Sequence, residues 1–179
     1  VGITTHADND PRARFSSGAF DELRDGSIDT VGWVADMVNG GIARPQELRC
    51  PANPGKQSEK IDDYFSPLTP IAGESTTQVN KLTPGAAALI VAESNMNTKA
   101  QLIGEHFLAK GYGTNYMTTF FFARSEPRLN EVTFGTSGIG GGLRYLNGSK
   151  IEGLPDTMGP LKRSLVESSP HAASRIPMF

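Results

Sequence analysis

Residues 25–41 read DGSIDTVGWVADMVNGG and hold the only tryptophan of the chain. Val31, Val34 and Val38 recur at intervals of three and four, and Trp33 and Met37 form a second pair at spacing four, the period of a helix. The spacing predicts a short helix over 30–39 that is apolar on two sides. Gly40 and Gly41 follow it in the position where glycine ends helices. A helix of this kind is packed on both flanks, so Trp33 reads as a packing anchor rather than a platform for a ligand. Gly26, Gly32, Gly40 and Gly41 permit tight turns and close approach of backbone. The next landmark, RCPANPG, places Cys50 and Pro51 in a turn that braces the neighbouring chain. The stretch reads as a structural joint.

Outward from this joint, residues 1–8 fit the tail of a helix ending at HADND, with Pro11 beyond as a stop signal. GKQSEKIDDYF (55–65) supports a second short helix through Ile61 and Phe65, and residues 66–85, rich in Pro, Ser and Gly, read as a surface loop. TKAQLIGEHFLAKG (98–111) is the clearest helix. Ala100, Ile103 and Phe107 make one stripe, Leu102 and Leu108 widen it, and Gly111 ends it. TNYMTTFFFAR (114–124) is the clearest strand, and its run of three phenylalanines predicts that both faces are covered. A glycine loop leads into a short strand, Pro160 stands near a helix start, and SRIPMF (174–179) reads as a last strand. The expected class is α+β, one domain over 1–179, with several short helices and long loops.

Twenty glycines and twelve prolines in 179 residues exceed the average of roughly 12% for the two together, which favours many short elements over a helical bundle. Seventeen basic and nineteen acidic residues give a net charge of −2. No basic stripe stands out, so nucleic acid is not an expected partner. Cys50 is the only cysteine, so no disulfide forms within the chain.

The motifs with chemical potential are sparse. GTSGIGGGL (135–143) lacks the glycine spacing of a dinucleotide loop and is not followed by Gly-Lys-Ser/Thr. A hydrolase needs a nucleophile, a base and an orienting acid. The bases on offer are His6, His106 and His171, with Cys50 as a conceivable thiol partner of the last two. No G-x-S-x-G elbow is present. Asp8, Asp10, Asp25 and Asp29, in two acidic turns, supply hard oxygen ligands of the kind calcium takes, although no EF-hand pattern orders them. Calcium is the only cofactor that the sequence suggests. Asn147 opens the glycan sequon NGS, a pair that also suits a tight hairpin turn.

The order of the pieces resembles a known family. NDPRARFSSGAFDELRDGSIDTVGWVADMVNGG, ELRCPANPG, GYGTNYMTTFFFAR and SRIPMF together resemble type IV pilin-like proteins of planctomycete bacteria, which belong to a large domain family of unknown function. The resemblance spans roughly residues 5–179 and involves no catalytic motif. It implies a pilin-like fold in which the end of an N-terminal helix lies against an antiparallel β-sheet. It also implies a prepilin leader and membrane helix before residue 1 and further chain beyond residue 179, a membrane-anchored precursor and an extracellular or cell-surface location. The function implied is that of a structural subunit of a pilin- or pseudopilin-like filament, without catalysis. Its partners would be other pilin-like subunits in a homo- or hetero-oligomer, or a C-terminal segment of the same polypeptide. A secreted module binding calcium, a glycan or a protein through the acidic turns and loops is the alternative, and a hydrolase the third.

Overall fold

The computed structural model describes residues 2–20, 26–65, 85–126, 129–132, 142–145 and 157–171. In chain order it contains α1 (Gly2–Asn9), α2 (Trp33–Asn39), a 3-10 turn (Pro45–Leu48), and α3 (Glu59–Asp62) running into a second 3-10 turn (Asp63–Phe65). Then come α4 (Ala87–Ala92), α5 (Met96–Ile103), a π-helical turn (Gly104–Leu108) and α6 (Phe120–Ala123). The strands β1 (Leu129–Val132) and β2 (Gly142–Tyr145) and the helix α7 (Arg163–Glu167) complete the order.

The expected α+β architecture is not what these residues form. Helix α1 packs against α2, and α4 against α5. Among the described residues the strand pairing is confined to β1 and β2, antiparallel, with Leu129 opposite Tyr145 and Val132 opposite Gly142. Among the described residues no antiparallel sheet lies against α1, so the pilin-like arrangement of helix on sheet is overturned. Short helices meeting at their apolar sides build the core instead. Tyr64, Phe107, Phe122, Ile28, Ile90 and Val34 are its largest fully buried side chains.

Each helix has a local cause. At Gly2, α1 comes so close to α2 that a Cβ there would lie 2.8 Å from the sulfur of Met37. Ala7, on the same helix, is buried. Helix α2 follows the expected period, with Trp33, Val34 and Met37 buried and Gly40 at its end. Gly41 has φ +63°, the left-handed conformation that stops a helix. In α5, Asn95 caps the start by accepting from the amides of Asn97 and Thr98. Its inner stripe is Lys99, Ile103 and Phe107, with Ala100 exposed. Apolar character pointed to Ala100, but a spacing of four keeps Lys99 in line, its alkyl stem covering core surface. The π turn sustains that spacing, because its wider turn holds Phe107 on the inner side. Gly111, at φ +97°, then ends the segment.

The segment expected as a strand over 114–124 departs most from expectation. Tyr116 to Thr119 runs without a turn or bend, and Phe120–Ala123 is a helical turn. Phe122 is buried, whereas Phe120 and Phe121 are exposed and meet edge to face, with ring centroids 5.6 Å apart. A strand would have sent the three rings to alternate faces and needed cover on both. One helical turn buries a single ring and leaves two outside. SRIPMF, most of the 66–85 loop, most of the glycine loop and Asn147 lie outside the described residues.

Backbone bonds tie distant parts of the chain around α6. The amide of Phe15 donates to Leu161 O (2.9 Å), that of Leu161 to Phe122 O (2.9 Å), and that of Ser125 to Gly159 O (2.7 Å). Near this seam Asp10 accepts from the backbone amides of Arg12 and Arg14 and from Nε and Nη2 of Arg14, the last at 2.6 Å. The Arg14 hydrogen bonds hold the Asp10 carboxyl far below the ordinary carboxylate range. Because the folded state favours the ionised form, this contribution is complete above the unfolded pKa of about 3.9 and fades as pH falls below it. Asp10→Asn is therefore expected to cost about 2 kcal/mol at neutral pH. Denaturant titrations from pH 7 down to pH 2 should show wild type and variant converging on the acid side of about pH 4.

Gly32, immediately before α2, has φ +102°, and a Cβ there would stand 3.1 Å from the backbone nitrogen of Phe20. Its own amide donates to Ser17 Oγ at 3.0 Å. Gly32→Ala combines backbone strain with crowding and is expected to lower stability by about 2 kcal/mol. Gly41→Ala, whose added carbon would meet nothing within 4 Å, should cost visibly less in the same urea melts.

Candidate functional site

A single turn shapes one surface cavity among the described residues. In CPANPG the amide of Asn53 approaches Cys50 O at 3.4 Å, and Pro51 occupies the second position of that turn, which its fixed φ suits. Asn115, from the distant 114–119 segment, clamps the turn. Its Oδ1 accepts from the Cys50 amide (2.9 Å), and its Nδ2 donates to Cys50 O and Gly55 O (2.9 Å each). Asn53 Nδ2 returns a bond to Asn115 O at 2.9 Å. The bracing role expected of Cys50 and Pro51 thus has a partner 65 residues away.

Between this clamp, the start of α2 and α6 opens a cavity of about 720 Å³. Phe20, Trp33, Met117 and Phe120 give it apolar wall, and Lys60 and Arg124 bring positive charge. Trp33 is only 9% exposed and belongs to the core, so the indole anchors α2 and forms cavity wall at once. Arg124 sits with its guanidinium carbon 5.6 Å from the centre of the Phe120 ring, a cation–π contact. Lys60 Nζ lies 3.0 Å from Asp63. At the rim and next to it, Met117 is 84% exposed, Phe121 56% and Phe120 44%.

Cys50, Lys60, Tyr116 and Arg124 are the titratable groups among the described lining residues, and Asp63 pairs with Lys60 from outside the lining. The three histidines lie elsewhere. His6 Nε2 lies 3.8 Å from Asp36, beyond hydrogen-bond distance, and Asp36 accepts from the Ser17 amide, so α1, α2 and the preceding turn meet here. His106 is half-buried in the π turn, and His171 is exposed beyond α7.

The acidic turns do not converge on a calcium site among the described residues. Asp8 meets Arg163 Nη2 at 2.6 Å, and Asp10 is held by Arg14. Asp29 accepts from Ser27 Oγ (2.6 Å) and from the amide of Ala86 (2.6 Å), where α4 begins. Each of these three carboxylates has a structural partner, and no three His, Cys, Asp or Glu side chains gather as a ligand set among the described residues. Asp25 and Asn147 lie outside them.

Sequence reasoning missed Asn115, Arg124, Lys60 and the outward turn of Phe120 and Phe121. No local signal marks Asn115, because its partners are distant in the chain. The phenylalanine run did carry a signal, since three consecutive rings fit neither strand face.

Compared with known proteins, the chain matches no family model, no curated protein and no solved structure.

Proposed function

We propose that the chain is a structural, non-catalytic subunit of an extracellular, pilin- or pseudopilin-like surface assembly, and that it meets its neighbours through the cavity and the rim around it. The observation that carries this is the exposure of Met117, Phe120 and Phe121 together beside an open apolar cavity. Large side chains of this kind, grouped at one edge, mark contact surfaces rather than idle exposure. Sulfur and aromatic rings are also enriched where proteins meet.

The ordered sequence resemblance supports the surface location and the assembly. The helix-on-sheet architecture lends no support, since the described residues fold differently. No helix among them is long and apolar enough to cross a membrane, so insertion in a bilayer is asked of none of them. The alternative of a calcium-binding module draws no support from carboxylates already engaged with arginines and backbone amides.

Cross-linking in the cells that make the protein tests the proposal. A Met117→Cys variant in a Cys50→Ser background carries one thiol, at the exposed rim. Treatment of whole cells with a bismaleimide that does not cross membranes should give covalent dimers and higher species containing the chain. Monomer alone, or no labelling from outside, would overturn the assembly or its location.

A further inference from the structure

We draw no further inference here: the strongest candidate, the open apolar cavity between the CPANPG turn, the start of α2 and α6 with residues 116–119 along its wall, belongs to the surface already described, and nothing in the structure shows what covers it.

Discussion

Phe107→Ala is expected to lower the stability of the chain by about 4 kcal/mol, the middle of the range for deleting a buried aromatic ring. Phe107 has no exposed surface. Its ring meets Tyr64 at 5.1 Å and Tyr112 at 6.5 Å, tilted and edge to face, so the α5 end, the turn after α3 and the chain beyond Gly111 share it. Tyr112 in turn donates through its hydroxyl to Asn39 Oδ1 (2.6 Å), which joins the same cluster to α2. Removal leaves a cavity that three separate elements would have to close, and short helices carry little stability of their own. The midpoint of thermal unfolding should fall by on the order of 10 °C. Phe107→Leu, which keeps most of the volume, should recover more than half of the loss. A variant as stable as wild type would mean that this cluster is not the centre of the core.

Asn115→Asp is the second large effect, expected at about 3 kcal/mol for a change of one atom type. The carboxylate still accepts from the Cys50 amide. Its other oxygen, however, now faces Cys50 O and Gly55 O, to which Nδ2 donates in the native chain. Two hydrogen bonds become two repulsions between acceptors. Asn115→Ala, which removes the bonds without adding repulsion, should cost less. Urea unfolding of the three proteins gives the order, wild type above Ala above Asp. An Asp variant no less stable than the Ala variant would show that the carboxamide does not hold the turn as its geometry indicates.

Legibility in the sequence followed the range of the interaction. Helix α2 could be read from Val31 to Gly41 because its signals are local: an apolar period, and glycines where the chain must stop. Helix α5 could be read for the same reason, apart from Lys99, whose burial depends on what covers its stem. Gly32 was picked out as a joint, and its φ of +102° gives the physical content of that role. The fold class failed because it depended on strands. The aromatic run at 120–122 resembled one in composition alone, and the expectation of a sheet came through resemblance, not periodicity. The three described carboxylates of the acidic turns show the same dependence on distant or neighbouring partners. Asp8 and Asp29 are taken by Arg163 and the Ala86 amide from distant parts of the chain, and Asp10 by Arg14 four residues on.

The cavity lay wholly outside what local signals can show. Its walls come from residues 18–20, 33, 50–60 and 114–124, which meet only when the chain has folded. By itself the sequence determined where short helices start and stop, which turns need glycine or proline, and that catalytic spacings are sparse. Those properties depend on side chains a few residues apart and on the backbone freedom of single positions. Tertiary structure decided which phenylalanine goes inside, which asparagine holds the CPANPG turn, and that Trp33 and Phe120 wall the same cavity. Each of these requires residues tens of positions apart to compete for the same space, and that competition is settled by packing.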